Sequence, residues 1–132
     1  MAIRDLLRNV LVSQSLSPAT RTNGTATGSA VDLSGYDAAV VTVSFGAYTD
    51  GTHTPSLQQS MDNSTYTACA ASDLDGTFSA VSGTAGGNTL QQVGYIGTQR
   101  FVAVVMTTAG ATTGALSSAS VIAGVPRNAP TQ

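Results

Sequence analysis

Residues 38–45 read Ala-Ala-Val-Val-Thr-Val-Ser-Phe and give the clearest sign of secondary structure in the chain. Within this stretch Val41, Val43 and Phe45 alternate with Thr42 and Ser44. Because successive side chains of a β-strand point to opposite faces, this spacing predicts a strand with one buried face. Branched and aromatic residues at the apolar positions favour the same assignment.

Further strands are predicted on both sides of this one. Residues 100–107 contain the apolar run Phe-Val-Ala-Val-Val-Met, which is typical of a central strand. Residues 55–61 and 66–70 flank an Asp-Asn-Ser turn and form a hairpin candidate. A second hairpin is predicted around Asn23-Gly24, a dipeptide that favours tight turns.

About eight or nine short antiparallel strands result, at spacings of roughly 8–12 residues with turn signals between them. This pattern predicts an all-β fold, a β-sandwich or a jelly-roll-like domain, over residues 17–125. An N-terminal arm (residues 1–16) and an extended, proline-containing C-terminal tail (residues 126–132) flank it. The length of 132 residues fits a single domain.

The N-terminal arm has a different pattern from the rest of the chain. Its apolar residues fall at helix spacing and are Ile3, Leu6, Leu7, Val10 and Leu11. This spacing predicts a short amphipathic helix or an arm that docks on a partner, since a helix of this length is marginal alone. Residues 10–14 also read as a first strand, and both interpretations hold if the helix leads into the strand.

The composition favours a protein that packs against other proteins. Only 9% of the residues are charged, against about 25% in an average soluble domain. The chain has no Lys, Glu or Trp, and Ser and Thr make up about a quarter of it. Lys and Glu are depleted in the cores of protein interfaces. The alternative is a neutral, Thr-rich β domain without a special interface.

Charge and hydropathy exclude several classes of partner. The formal net charge is −2, and five scattered Arg residues cannot neutralise many phosphates, so no nucleic acid is expected. No stretch approaches the roughly 20 apolar residues of a membrane span. Asp5, Arg8 and Asn9 interrupt any signal-peptide core, which predicts cytosolic synthesis without export. The single cysteine, Cys69, fits a reducing compartment and a small buried side chain.

The sequence holds little catalytic chemistry, and we expect no enzyme, no catalytic residues, no cofactor and no metal. The lone histidine, His53, lies in a predicted turn, where a solvated side chain is expected. Asp73 and Asp75 have the spacing of two calcium ligands, but the sequence around them does not supply the remaining ligands of a calcium-binding loop. No Gly-x-Ser-x-Gly motif is present for a serine nucleophile.

Several stretches together resemble a family of small tailed-phage proteins encoded in head-gene clusters, the capsid decoration or cement proteins. The resemblance covers roughly residues 31–130 and rests on the order of weak motifs. They are VDLSGYDA (31–38), TDGT (49–52), LQQS (57–60), DNSTY (62–66), VGYIG (93–97), RFV (100–102) and PRNAP (126–130). Tyr66 stands where such proteins often carry Trp.

The resemblance implies a structural protein on the outer capsid surface of a virion. Its partners would be the major capsid protein and further copies of itself, as a homotrimer that bridges capsid subunits. We expect contacts from the two segments unlike the core, namely Ile3, Arg4, Leu6, Leu7 and Arg8 in the arm and Pro126 and Arg127 in the tail. A neck, tail or head-fibre component, and a module that binds carbohydrate or a host surface, are the alternatives.

Overall fold

A computed structural model of the protein describes residues 7–126 and shows two antiparallel sheets. Sheet A has the strand order β1-β10-β4-β8-β7, and sheet B has the order β2-β9-β5-β6, with β3 also paired to β9. The predicted all-β sandwich is confirmed. The strands are β1 (Leu11–Arg21), β2 (Gly24–Thr27), β3 (Val31–Asp32), β4 (Tyr36–Tyr48), β5 (Thr52–Ser60), β6 (Thr67–Ala68), β7 (Leu74–Asp75), β8 (Thr89–Tyr95), β9 (Phe101–Ala109) and β10 (Ala115–Pro126).

Short 3-10 turns complete the described secondary structure. They are Leu7–Asn9, Ala71–Asp73 and Thr84–Gly86. Between residues 7 and 126 the chain forms no helix that is long and apolar enough to cross a membrane.

The core lies between the two sheets and uses the alternation read from the sequence. On β4, Val41, Val43 and Phe45 are buried, as predicted. On β9, Val102, Val104 and Met106 have no exposed surface. β9 lies between β5 on one side and β2 and β3 on the other, so its assignment as a central strand is confirmed.

The hairpin predicted around Asn23-Gly24 is wrong, although the turn itself exists. β1 belongs to sheet A and β2 to sheet B, so the turn carries the chain from one sheet to the other. Gly24 has a φ of 128°, which only glycine adopts without strain. The side-chain oxygen of Asn23 accepts a 2.7 Å hydrogen bond from the N–H of Ala111. This dipeptide therefore sets a local backbone bend and does not decide which sheet the next strand joins.

The hairpin predicted for residues 55–61 and 66–70 is confirmed by β5 and β6. Gln58 is paired with Ala68 and Gln59 with Thr67. The intervening turn is held by Asp62, whose carboxylate accepts hydrogen bonds from the N–H groups of residues 64 and 65 at 2.9 Å each.

One edge of the sandwich is closed by Ser15 of β1. The register of β1 against β10 shifts between Gln14 and Leu16. The hydroxyl of Ser15 accepts a 3.0 Å hydrogen bond from the N–H of Val104 in sheet B and donates one of 2.8 Å to the carbonyl of Ser29. A Cβ on Gly28 would lie only 2.5 Å from the Ser15 carbonyl oxygen. The two sheets therefore meet so closely here that residue 28 must be glycine.

Candidate functional site

The structure places the last residues of the predicted arm and the first residue of the predicted tail at one end of sheet A. The 3-10 turn Leu7–Asn9 leads into β1, where Leu11 is paired with Ala123 of β10. β10 ends at Pro126, which is paired with Tyr36, so the strand extends one residue into the predicted tail. Both chain ends therefore leave the sandwich at neighbouring positions.

The predicted contact residues are only partly described. The Leu7 side chain is 66% exposed. The backbone of Arg8 belongs to the same turn, and the backbone of Pro126 ends β10. Ile3, Arg4, Leu6 and Arg127 lie outside the described residues, so their role as contacts stays a prediction.

The charged residues in the strands of both sheets lie at or next to the strand ends. In the strands of the described chain they occur at four positions, each within two residues of a strand end, namely Arg21, Asp32, Asp37 and Asp75. The outward surfaces of both sheets are therefore neutral over most of their length.

The outer face of sheet A carries apolar side chains in register. Val12 of β1 lies opposite Ile122 of β10, and Ile122 lies opposite Val40 of β4. Leu116 lies further along β10, and Leu90 of β8 lies opposite Ser44 of β4. Three of these side chains are largely open to solvent: Val12 is 60% exposed, Leu90 57% and Leu116 43%.

Serine, threonine and glutamine fill the spaces between these apolar side chains. Gln14, Ser120, Thr42 and Gln92 form one continuous row across four strands. We call the outward-facing side chains of β1, β10, β4 and β8 the neutral face. The sequence analysis did not predict the neutral face. One signal for it was available, because Leu116 and Ile122 have the same alternation in β10 as the polar Ser118 and Ser120 and therefore point to the same side.

The outer face of sheet B is richer in hydroxyl groups. Thr25, Thr107 and Thr54 lie opposite one another on β2, β9 and β5, and the next row contains Thr27, Val105 and Ser56. This face therefore presents less large apolar surface than the neutral face of sheet A.

An ion pair marks one end of sheet B. Arg100 donates two hydrogen bonds to the carboxylate of Asp32, at 2.9 and 2.8 Å, and its guanidinium lies 4.9 Å from the ring centre of Phe101. The hydrogen bond from Arg100 holds the pKa of Asp32 well below its usual range. Both side chains are about half exposed, with 51% and 42% of their surfaces open, so the pair stabilises the fold only modestly.

His53 is not the solvated turn residue that the sequence suggested. It lies on β5 with no exposed surface, because the inward phase of this strand runs through His53, Pro55 and Leu57. Its Nδ1 lies 3.1 Å from the Thr108 hydroxyl and its Nε2 lies 3.0 Å from the carbonyl of Asp50. Both ring nitrogens are thus used in holding the fold.

Other reactive groups are also engaged in local structure. Burial, and secondarily the charge of Asp73, raises the pKa of the Cys69 thiol to about 11, which makes it a poor nucleophile. Backbone hydrogen bonds, chiefly from Gly114, hold the pKa of Asp50 below its usual range. Among residues 7–126, no three His, Cys, Asp or Glu side chains are grouped so that they could hold a metal ion.

A groove of about 540 Å³ lies between the start of β4 and the β8–β9 connection. Tyr36, Ile96 and Arg100 are among its lining residues. The Tyr95 hydroxyl at its wall donates to the Gln59 side chain at 2.6 Å and accepts from the N–H of Gln99 at 3.1 Å. These two hydrogen bonds hold the Tyr95 side chain in place at the wall of the groove.

Comparison with known proteins identifies the fold and no family. No protein-family model and no curated protein matches the chain. Among solved structures, the crystal structure of the PBSX exported protein XepA is similar with a TM-score of 0.59 and 14% identity. The match covers 94% of this chain and 39% of that protein, so the chain spans well under half of its length. At this identity the likeness concerns the fold alone.

A second solved structure is described as "Bacillus endospore appendages form a novel family of disulfide-linked pili". It matches over 88% of each chain with 14% identity and a TM-score of 0.47. This likeness is too weak to support an inference about function.

Proposed function

We propose that this protein is a structural component of a tailed-phage particle. It binds the outside of the icosahedral capsid and clamps neighbouring subunits of the major capsid protein. The observation that carries the proposal is the confinement of charge to strand ends, which leaves both sheet faces neutral. The resemblance of residues 31–130 to capsid decoration proteins supports the phage setting.

A neutral β surface is suited to lasting contact with another protein. Burying an ionised side chain costs much more than burying a hydroxyl, an amide or an apolar group. The strands of this protein present the latter kinds of group along almost their whole length. Contact with a capsid surface would therefore remove few charges from water.

The clamping action follows from several contacts acting together. The two chain ends leave from neighbouring positions of sheet A, so an arm and a tail can reach different subunits from one rigid body. In a homotrimer such contacts are tripled, and their combined affinity exceeds that of any one contact. Arg127 would supply an ion pair to an acidic patch of the capsid.

The proposal includes a non-enzymatic role. His53 and Asp50, the residue types that would serve a hydrolase, are instead tied into the turns and the core. Turnover with a panel of nucleotides, esters or glycans would contradict this part of the proposal.

Binding to empty shells of the particle whose genome encodes the chain tests the function. We expect the full chain to co-sediment with the shells in a saturable manner. Deletion of residues 1–9, which ends before β1, is expected to weaken binding at least tenfold while leaving the melting temperature nearly unchanged. Undiminished binding of the deletion variant would show that the arm is not a capsid contact, and absence of binding by the full chain would contradict capsid attachment.

The alternatives predict other outcomes. A neck, tail or head-fibre component would be found on purified tails or necks and not on shells. A module for carbohydrate or a host surface would use the groove beside Tyr36, and would bind host cells or a glycan array in the absence of any shell.

A further inference from the structure

We infer that the neutral face of sheet A is the surface that docks on the capsid shell. Its occupant is an uncharged surface of the major capsid protein, made of apolar, hydroxyl and amide groups. This inference rests on the proposed function and adds the part of the molecule that performs it. It assigns the main contact to the folded sheet, with the N-terminal arm as its extension.

Exposed apolar surface distinguishes this face from the face of sheet B. Val12, Leu90 and Leu116 all lie on sheet A, and each has more than two fifths of its surface open. Val12, Ile122 and Val40 form one row across β1, β10 and β4. The polar row that runs from Gln14 to Gln92 separates it from Leu116 and Leu90 on the same face. Exposed large apolar side chains gathered on one face of a soluble protein commonly mark sites of interaction with proteins.

The area of the face fits a protein interface. β10 has 12 residues, which corresponds to about 40 Å at about 3.3 Å per residue. β1 and β4 are of similar length, with 11 and 13 residues, and β8 adds 7. With strands about 4.8 Å apart, the face covers roughly 650 Å² in projection. A standard interface buries about 800 Å² on each partner.

Charge determines the chemistry of the partner. The outward positions of β1, β10, β4 and β8 that form the face carry no Asp, Glu, Lys, Arg or His side chain, and Asp75 stands only at the β7 edge, opposite Gly94. A charged partner surface would lose its water here without gaining an opposite charge. The matching surface must therefore be neutral, and binding through it must depend little on salt.

Residues 7–10 of the N-terminal arm continue this face. A Cβ placed on Gly124 would lie 3.8 Å from the Val10 side chain, so Val10 lies over the outward side of β10. Leu7, in the preceding turn, is largely exposed. Leu7 and Val10 therefore lie at the end of sheet A that carries the row of Val12, Ile122 and Val40.

Two substitutions on the face test the inference with a matched control. Leu116→Arg and Leu90→Arg place a cation in the neutral face, and Thr54→Arg places the same cation on the exposed outer face of sheet B. Each variant is first checked for an unchanged circular dichroism spectrum and melting temperature. Affinity for empty shells is then measured by co-sedimentation in 50 mM and 500 mM NaCl.

We expect Leu116→Arg and Leu90→Arg each to lower the affinity at least tenfold, and Thr54→Arg to change it less than twofold. The affinity of the unchanged chain should differ by less than threefold between the two salt concentrations. If the unchanged chain does not bind shells, the proposed function fails. If the unchanged chain binds and both sheet A variants bind shells as tightly as it does, the assignment of this face is overturned and the proposed function stands. The same conclusion follows if only Thr54→Arg is defective in binding.

Discussion

The carboxylate of Asp50 accepts a 2.7 Å hydrogen bond from the backbone N–H of Gly114, a residue 64 positions further along the chain. It also accepts from the N–H groups of Thr112 and Thr113, at 3.2 and 3.1 Å. These bonds join the β4–β5 turn to the β9–β10 turn, both of which cross between the sheets. One side chain therefore holds two crossovers together.

Removal of the Asp50 carboxylate is expected to destabilise the fold. Asp50→Ala leaves the N–H groups of the β9–β10 turn without their acceptor, whereas Asp50→Asn keeps one acceptor oxygen. The free energy of unfolding in urea should fall in the order native, Asn variant, Ala variant. Asp75→Asn, an exposed carboxylate at the edge of sheet A, is the control and should leave it unchanged. Equal stability of the Asp50 variants and the native chain would contradict this role.

Acid should destabilise the protein for the same reason. Hydrogen bonds in the folded state lower the pKa of Asp32, of Asp50 and of Asp62 relative to the unfolded chain. A carboxyl group whose pKa is lower in the folded state than in the unfolded chain stabilises the fold at pH values above its unfolded pKa, about 4. This stabilisation is lost as the pH falls from there through the folded-state pKa. The melting temperature should be flat between pH 5 and 8 and should drop between pH 4 and 2. The drop should be smaller in Asp50→Asn, and a melting temperature that rises on acidification would contradict the assignment.

His53 is expected to be a stabilising core residue. His53→Ala removes a side chain with no exposed surface and leaves the Thr108 hydroxyl and the Asp50 carbonyl without partners. We expect a loss of about 2–4 kcal/mol in the free energy of unfolding, from the cavity and the unpaired polar groups together. Thr54→Ala, on the exposed side of the same strand, should cost less than about 0.5 kcal/mol. Equal losses in the two variants would contradict a buried structural role.

The approach of the two sheets at Gly28 leads to a further prediction. A methyl group there would press against the backbone of Ser15 and separate β1 from sheet B. Gly28→Ala should therefore cost about 1–3 kcal/mol, as overpacking commonly does. At Gly83 a Cβ would meet nothing within 4 Å, so Gly83→Ala should be neutral or slightly stabilising. Urea unfolding of the two variants checks both values, and a neutral Gly28→Ala would show that the edge opens freely.

Cys69 should react slowly with alkylating agents. With the pKa of its thiol raised to about 11, the thiolate fraction at pH 8 is roughly 10²-fold below that of an ordinary cysteine. Iodoacetamide labelling of the native protein at pH 8 should be slower than labelling in urea by about this factor. Equal rates in the two conditions would show that the thiol is exposed.

Much of the fold was predictable, since alternation and apolar runs depend on local sequence. Val41, Val43 and Phe45 identified β4, and the run in residues 101–106 identified β9 as a central strand. The destination of the Asn23-Gly24 turn was not predictable, because a turn fixes the backbone locally while sheet membership depends on the core. His53 was misplaced because its neighbours Asp50 and Gly51 indicated a turn, although the phase of Pro55 and Leu57 points it inward.

The candidate site was less predictable than the fold. The arm and the tail were identified by composition, and the structure shows only that both leave sheet A at one end. The neutral face depends on the pairing of β1 with β10 and of β10 with β4, strands far apart in the sequence. The phase of a single strand marks its outward apolar residues, but Val12, Ile122 and Val40 become neighbours only through that register.

Cryo-electron microscopy of the particle that carries this gene is the decisive test of capsid clamping. We expect density for a β-sandwich on the outer shell at three-fold or local three-fold positions, with sheet A facing the capsid subunits. Density confined to the neck or tail, or no density for this protein on the particle, would contradict a capsid-clamping function.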